Sequence, residues 1–280
     1  NKKESKKGFR EVINDYRQVL KTKACRRTCV IYFVSYFGKD CFNTAFFFYT
    51  MFLIGMGQAD AQAASSLSIL GMIVVPVATI FMYKKGPKFL WTAAFSCQIF
   101  VLAVYILLYF SGIHLSATVM FALVFILSAL WQIGRQTSEY TVWNVIPLVP
   151  DIDTMVSTKL RAGTFAAVQT FTRKITGALG SALIGWILDL SGFDKSLSTQ
   201  TDMAKMGIML SFAIIPLICF IYSMYLIRTF NLSQHTHKIV KDEIDRLQGG
   251  GSKKDALPET KSVIEYLTGY PYDKVWNSSN

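Results

Sequence analysis

Two neighbouring cations, Arg173 and Lys174, lie within the apolar stretch AVQTFTRKITGALGSALIGW, residues 167–186. In a helix, one narrow face of this stretch collects side chains spaced four, three, four and four residues apart: Thr170, Lys174, Gly177, Ser181 and Gly185. If the helix spans a membrane, Lys174 lies about 16 Å along it, where a lysine is costly unless it meets water or a counter-charge. The pattern predicts that Lys174 faces a polar cavity, or alternatively that it snorkels or forms a structural ion pair. Arg173 is turned about 100° away, and it either reaches the cytoplasmic interface or forms a structural ion pair.

The small residues of the same face allow another helix to approach closely, because Gly177, Ser181 and Gly185 form a double small-xxx-small pattern. A second polar stripe follows helical spacing further upstream and comprises Gln132, Arg135, Gln136, Glu139 and Trp143. Arg135 and Glu139 are placed to pair across one turn. A stripe that ends in an indole resembles a sugar-binding wall, since tryptophan offers a flat apolar face and an N–H donor. The alternative is a self-neutralising structural pair.

A third charged face lies near the start of the chain and comprises Tyr36, Asp40, Asn43, Phe47 and Thr50, with Lys39 beside it. Lys39 and Asp40 are adjacent in sequence, so they do not point at each other. At least one of them therefore needs a partner on another helix. Three charged helices around one cavity predict a pathway for a solute.

The composition indicates the setting of these helices. Of the 280 residues, 52% are hydrophobic and only 17% are charged, which is too apolar for an ordinary soluble domain. A membrane span requires about 20 apolar residues, and six stretches qualify: 29–55, 63–83, 89–111, 117–148, 163–190 and 206–228. The sequence predicts an all-α membrane protein with six transmembrane helices.

The distribution of positive charge predicts the orientation and argues against nucleic acid as a partner. The formal net charge is +11, but 23 of the 29 basic residues fall in the two ends and in the second and fourth connections. With six crossings these segments share one side, which the positive-inside rule makes cytoplasmic. We expect a multi-pass protein of the plasma (inner) membrane with both termini in the cytoplasm.

The two ends flank the membrane region, residues 29–228. Residues 1–28 are basic and polar, and we expect them to be the remnant of a cytoplasmic central loop between two membrane halves. Residues 229–280 form a cytoplasmic tail with a short amphipathic helix at 235–247, followed by a flexible end. Histidines 235 and 237 are interpreted as solvated residues at the helix start. The five cysteines are interpreted as small apolar packing residues: Cys25, Cys29, Cys41, Cys97 and Cys219.

The sequence also resembles a known family. The stretch NVIPLVPDIDTMVSTKLRAGTFAAVQTFTRKITGALGSALIGWILDLSGF is similar to the penultimate cytoplasmic loop and eleventh helix of the glycoside–pentoside–hexuronide:cation symporters, the melibiose-permease group of the major facilitator superfamily. The corresponding positions here are Pro150-Asp151, Arg161, and Val168-Gln169-Thr170 with Lys174. The segments YLIRTFNLSQHTHKIVKDEIDRL and DYRQVLKTKACRRTCVIYF resemble the exit from the last helix and the entry to the seventh.

The resemblance implies the C-terminal half of a twelve-helix major facilitator transporter that imports a sugar or glycoside with sodium or a proton. It assigns cation coupling to Lys174, sugar contacts to Gln169 and Thr170, and gating to Asp151 and Arg161. No cofactor other than the coupling ion is implied, and the cation-binding aspartates belong to the absent N-terminal six-helix half. The implied partners are the sugar, a monovalent cation, the lipid bilayer and that absent half.

The chain departs from the family pattern in its extra charges. The additional arginines favour an acidic sugar such as a hexuronide, because a guanidinium binds a carboxylate in a bidentate manner. For that site we add Arg135, Glu139, Trp143, Asp40 and Asn43 as candidate substrate-binding residues. Three alternatives stay open: a membrane-embedded enzyme, for which only three histidines are available, a transport-inactive sensor or scaffold, and a transporter of a non-sugar solute. No metal site is expected.

Overall fold

The computed structural model describes residues 17, 20–111, 115–197 and 199–276. This part of the chain is helical and contains no β-strand, in agreement with the predicted all-α class. Its α-helices are, in chain order, α1 (Lys23–Phe48), α2 (Gln58–Ser65), α3 (Gly71–Ser111), α4 (Ala117–Val145), α5 (Val149–Ser157), α6 (Ala162–Leu190), α7 (Asp202–Met209), α8 (Ile215–Arg228), α9 (Gln234–Gln248) and α10 (Pro258–Thr268). Most of the expected loop remnant at 1–28 lies outside the described residues.

Among the described residues, three helical stretches are long and apolar enough to cross a membrane: Gly71–Ser111, Ala117–Ser157 and Asp202–Arg228. They overlap four of the six predicted spans. The other two predicted spans, 29–55 and 163–190, coincide with α1 and α6, and each carries two adjacent charged residues near its middle that lower its hydropathy. The count of six spans therefore remains a prediction.

The long helix α3 is divided at Gly86. Its backbone torsions there are φ 77° and ψ 177°, which lie outside the helical region and which residues other than glycine rarely adopt. Pro87 follows and has no N–H to continue the helical hydrogen bonds. The break falls within KKGPK, the connection expected between the spans at 63–83 and 89–111, so α3 consists of two helical arms.

The described chain packs as two compact units, each treated by itself below. The bundle unit comprises Ile31–Val142 and Arg173–Thr229. The tail unit comprises Asn1–Val30, Trp143–Thr172 and Phe230–Asn280. The bundle unit holds most of the charged helix faces found in the sequence, and the tail unit holds the predicted gating residues.

Aromatic rings form much of the core of the bundle unit. Phe212, in a π-helical turn between α7 and α8, stacks on Tyr49 with ring centroids 4.2 Å apart. It also contacts Phe42 at 4.8 Å and Tyr105 at 5.0 Å. Trp131 of α4 stacks on Phe42 at 3.5 Å. Such pairs add about 0.5–1.5 kcal/mol each beyond burial, and they hold α1 against α4 so that the charged residues of the two helices meet.

The tail unit is built on α5, α9 and α10. Helix α9 coincides with the amphipathic helix expected at 235–247, and it begins with a reciprocal capping box between Ser233 and Thr236. Its apolar residues Val240, Ile244 and Leu247 are buried, as the helical spacing predicts.

The stretch after α9 differs from the expected flexible end, because its described part is folded. Helix α10 has Pro258 in its first turn and ends at Gly269, whose φ is 81°. Four apolar or aromatic side chains of this stretch are buried: Ile264, Leu267, Tyr272 and Val275. The Trp276 N–H donates to the Met155 carbonyl of α5 at 2.8 Å. Burial of these few side chains thus orders the stretch after α9, although most of its residues are polar.

Candidate functional site

Lys39 is the most buried charged side chain of the candidate site, with an exposed fraction of 2%. Its Nζ lies 3.7 Å from Glu139 Oε1 on α4 and donates to Ser138 Oγ at 3.3 Å. The ammonium also lies 3.9 Å from the centre of the Tyr36 ring, a cation–π contact. Burial of a cation is tolerated only where such partners replace water.

Glu139 forms ion pairs with two cationic side chains. Besides Lys39, it pairs with Arg135 one turn earlier on α4, with Nε and Oε1 3.9 Å apart. The predicted Arg135–Glu139 pair is therefore confirmed. The expectation that Lys39 or Asp40 finds a partner on another helix is confirmed as well, since Lys39 reaches α4.

Asp40 pairs with Arg173 of α6, and their Oδ2 and Nη1 atoms lie 2.6 Å apart. The same guanidinium lies 5.0 Å from the Tyr36 ring and donates to Thr176 at 3.3 Å. Of the two alternatives for Arg173, the structure shows the ion pair. Lys174 is exposed and forms no ion pair with any residue in the described part of the chain.

The face of α6 that contacts α1 explains why Arg173, and not Lys174, pairs with Asp40. A β-carbon placed on Gly180 would lie 3.4 Å from the β-carbon of Asp40, and one on Gly177 would lie 3.8 Å from the carboxylate. Arg173, Thr176, Gly177 and Gly180 are spaced three, one and three residues apart, which is one helix face. The sequence predicted that glycines of α6 allow another helix to approach closely. The face that contacts α1 is rotated by about one residue from the face predicted from Gly177, Ser181 and Gly185.

A cavity of about 240 Å³ lies inside the bundle unit. This volume is slightly below the roughly 300–1,000 Å³ of typical ligand pockets. Its lining combines aromatic, polar and charged side chains: Phe42, Asn43, Phe46, Phe47, Ala64, Ser65, Ser128, Trp131, Gln132 and Arg135. Asn43 and Arg135, two of the predicted substrate-binding residues, therefore line one cavity.

Several polar atoms of this lining have no hydrogen-bond partner among the described residues. They are Ser128 Oγ, the Trp131 indole Nε1, the Gln132 amide oxygen and Arg135 Nε, while the amide nitrogen of Gln132 donates to the Ser65 carbonyl at 3.0 Å. Buried polar groups without partners are costly. The residues that line the cavity thus carry both donor and acceptor groups, which suits a hydroxylated solute, whose groups both donate and accept.

Trp131 is the indole at the cavity, and the sequence analysis missed it. Trp143, the predicted wall, is 61% exposed and belongs to the tail unit. The available signal was the helical spacing of Ser128 and Trp131 with Gln132 and Arg135, which extends the predicted polar stripe by one turn towards the start of α4. Because the ring of Trp131 stacks on Phe42, it is the unpaired N–H, rather than an open ring face, that characterises this indole.

Gln169 and Thr170, the predicted sugar contacts, lie on the part of α6 that belongs to the tail unit. The Thr170 hydroxyl donates to the Ala166 carbonyl of its own helix at 2.9 Å. The Gln169 side-chain nitrogen is buried without a hydrogen-bond partner in the described residues. Their role in sugar binding remains a prediction.

Arg161 forms a bidentate ion pair within the tail unit. Its Nε donates to Asp153 Oδ2 at 2.9 Å and its Nη2 to Oδ1 at 3.0 Å, and Thr22 Oγ1 adds a third bond to Oδ1 at 3.2 Å. Asp153 is fully buried. This carboxylate is not among the residues predicted from the sequence. Its position four residues after the buried Val149, on the apolar face of a short helix, was the available signal.

Asp151, the other predicted gating residue, points in a different direction from Asp153 because two residues of a helix are about 200° apart. Its Oδ2 lies 2.7 Å from His237 Nε2 of α9. His237 was expected to be a solvated residue near a helix start, and this expectation is wrong, since its side chain is only 16% exposed. The loop that carries the predicted gating residues is therefore tied to the tail.

A second buried carboxylate of the tail unit, Glu243, accepts from Nε and Nη2 of Arg246 at 2.8 and 2.7 Å and from the hydroxyl of Tyr272. Burial acts to raise the pKa of Glu243, but the hydrogen bonds from Arg246 and Tyr272 outweigh it and lower that pKa from its ordinary value. Burial, together with the bond to Glu243, raises the pKa of Tyr272 to about 12. This network fastens the stretch after α10 to α9.

Comparison with known proteins matches residues 1–234 to a family described as MFS/sugar transport protein. The chain is 28% identical over 161 residues to the inner membrane symporter YicJ of Escherichia coli (strain K12), covering 57% of this chain and 33% of that protein. It is 26% identical over 132 residues to the uncharacterized symporter sll1374 of Synechocystis sp. (strain ATCC 27184 / PCC 6803 / Kazusa), covering 45% and 24%. The matched part of the chain thus spans about a third of the length of the first relative and about a quarter of the length of the second. The family match ends at residue 234, so nearly all of α9 and the whole of α10 lie beyond it.

Proposed function

We propose that this chain, which belongs to the MFS/sugar transport protein family, provides one half of a secondary transporter that imports a sugar or glycoside with sodium or a proton. The observation that carries the proposal is the bundle cavity, which Trp131, Gln132 and Arg135 line and whose Arg135 belongs to the ion-pair network. Major facilitator transporters bind their solute near the middle of the membrane, between two halves that rock against each other. Six spans, at the positions predicted above, form this half.

The charge balance of the bundle supports a partner half. The ion-pair network contains three cations, Lys39, Arg135 and Arg173, but only two carboxylates, Asp40 and Glu139. An uncompensated charge in a low-dielectric site is costly. We propose that carboxylates of an N-terminal six-helix half, or an anionic substrate, supply the missing negative charge.

Within this scheme Lys174 is the proposed coupling residue. It is exposed on α6 and unpaired among the described residues, so its ammonium is available to carboxylates of the other half. The coupling cation would compete with Lys174 for those carboxylates. Movement of the cation down its gradient would thereby drive sugar uptake.

The tail unit supplies the proposed cytoplasmic gate. Arg161 with Asp153, and Asp151 with His237, hold the loop between α4 and α6 in place. Both termini are proposed to lie in the cytoplasm of a cell with this protein in its plasma (inner) membrane, because the basic residues cluster in these segments. Each opening towards the cytoplasm would then require these two contacts to rearrange.

The direct test is uptake in proteoliposomes. We expect the 280-residue chain alone to show no cation-driven sugar accumulation, and the chain joined or co-expressed with an N-terminal six-helix half to show it. Counterflow with labelled sugar in the same vesicles measures exchange without a cation gradient. Robust accumulation by the chain alone would overturn the half-transporter proposal, and binding without counterflow in the assembled protein would favour a sensor or scaffold.

The substrate is tested by Arg135→Lys in the assembled transporter. If Arg135 clamps the carboxylate of a hexuronide, the change should weaken hexuronide binding about tenfold and leave neutral sugars nearly unaffected, since a lysine ammonium lacks the planar fork. The measurement is competition against labelled substrate. Arg173→Lys is the matched control, because Arg173 does not line the cavity and should shift both sugars alike. Neutral galactosides that compete better than hexuronides would leave Arg135 as a structural partner of Glu139.

A further inference from the structure

Two cysteines form a close pair at the start of α1, apart from the proposed transport site. Cys25 and Cys29 are separated by one helical turn, and their sulfur atoms lie 3.9 Å apart. Cys25 is fully buried and Cys29 is partly exposed. Both belong to the tail unit, and a solute can approach the pair from the side of Cys29.

The sulfur separation corresponds to two ligands of one metal ion. Zinc–thiolate bonds are about 2.3 Å long and zinc is tetrahedral, so two thiolates on the same zinc ion lie about 3.8 Å apart. The observed 3.9 Å requires almost no movement of either side chain. Cysteine thiolates are soft ligands that select zinc and similar ions over calcium or magnesium.

A disulfide between these cysteines is less compatible with the helix. The sulfurs would have to approach to about 2.05 Å, and the two β-carbons to about 3.5–4.5 Å. Residues one turn apart on a helix have β-carbons about 5–6 Å apart, so the bond would distort α1. Binding of one metal ion by both sulfur atoms preserves the helix, whereas formation of a disulfide between them does not.

We propose that Cys25 and Cys29 form a two-thiolate site for a soft divalent cation of the zinc class. Binding releases one proton from each thiol to the solvent and forms two metal–sulfur bonds, without any change in oxidation state. No third Cys, His, Asp or Glu joins the pair within the described ranges, and the nearby Asp153 is occupied by Arg161 and Thr22. Water or a small solute ligand completes the coordination, so the ion is exchangeable rather than a structural zinc, which takes four protein ligands.

The test is a titration of the purified, reduced protein with Co²⁺, whose thiolate charge-transfer absorption reports metal–sulfur bonds, followed by displacement with Zn²⁺. We expect one Co²⁺ per chain, release of two protons, and tighter binding of Zn²⁺ than of Co²⁺. Cys25→Ser and Cys29→Ser should each weaken Co²⁺ binding at least about tenfold. Cys97→Ser is the matched control and should leave it unchanged, because Cys97 instead donates to the Leu130 carbonyl.

Two outcomes would overturn the site. One is the absence of the absorption band from unmodified protein that keeps its helical circular dichroism. The other is an unchanged affinity for Co²⁺ in either serine variant, which would place the metal elsewhere. Circular dichroism of the variants separates lost binding from lost folding, and none of these measurements depends on transport.

Discussion

Glu139→Leu should destabilise the bundle unit by about 3 kcal/mol, at the lower end of the range for breaking a buried ion pair. The change leaves the ammonium of Lys39, which is 2% exposed, without its only carboxylate among the described residues. Ser138 and Tyr36 still contact the ammonium, which limits the loss. The measurement is the unfolding transition in detergent, followed by circular dichroism.

The second arm of this experiment removes both charges. Lys39→Met combined with Glu139→Leu should recover most of the lost stability, because a well-packed apolar pair of similar volume often equals a buried ion pair. Arg135→Met is the matched control, since Arg135 is 24% exposed and its Nε is 3.9 Å from the carboxylate, and it should cost less than about 1 kcal/mol. If the double variant is as unstable as the sum of the single variants, the Lys39–Glu139 contact does not carry the effect.

Lys174→Leu in the assembled transporter should abolish cation-driven accumulation while protein stability stays within about 0.5 kcal/mol of the unmodified protein. Lys174 is exposed and has no ion pair in the described part of the chain, so its removal breaks no contact within this half. The measurement is uptake with and without a cation gradient, beside unfolding in detergent.

Arg173→Leu is the matched variant for this prediction. Arg173 holds Asp40, whose side chain is 12% exposed, and its removal leaves that carboxylate without its partner. We expect lower stability and, in the fraction that remains folded, a retained dependence of uptake on the cation. Normal accumulation by Lys174→Leu together with lost coupling in Arg173→Leu would transfer the coupling role to Arg173.

These two predictions separate structural from functional charges within one membrane half. Lys39, Glu139, Asp40 and Arg173 are bound to each other across helices, so they fix how α1, α4 and α6 pack. Arg135 has an unsatisfied Nε at the cavity, and Lys174 is unpaired among the described residues. Charges with unused bonding capacity are the better candidates for contact with a solute, an ion or another half.

The tail unit adds a feature of this chain that the family match does not reach. Residues beyond 234 fold against α5 through the Asp151–His237 contact and the Trp276–Met155 hydrogen bond. The loop proposed as the cytoplasmic gate therefore has a partner within its own chain. Any rearrangement of that loop must also break contacts with α9 or with the segment after α10.

The sequence by itself determined the properties that depend on composition and on spacing along one helix. Apolar stretches and basic ends indicated a helical membrane protein, and the i, i+4 spacing of Arg135 and Glu139 was enough to predict their pair. The helical spacing of apolar residues also located α9. These features are local, because each depends on residues within a few turns of one another.

The tertiary structure decided which side of each helix meets its neighbour. Arg173 and Lys174 are adjacent in sequence, and only the packing of Gly177 and Gly180 against Asp40 shows that it is the arginine that pairs with Asp40. Trp131, which lies twelve residues before Trp143 on α4, lines the cavity, whereas Trp143 is exposed. A helical face repeats every 3.6 residues, so the sequence defines several candidate faces equally well, and contact between helices distant in sequence selects one of them.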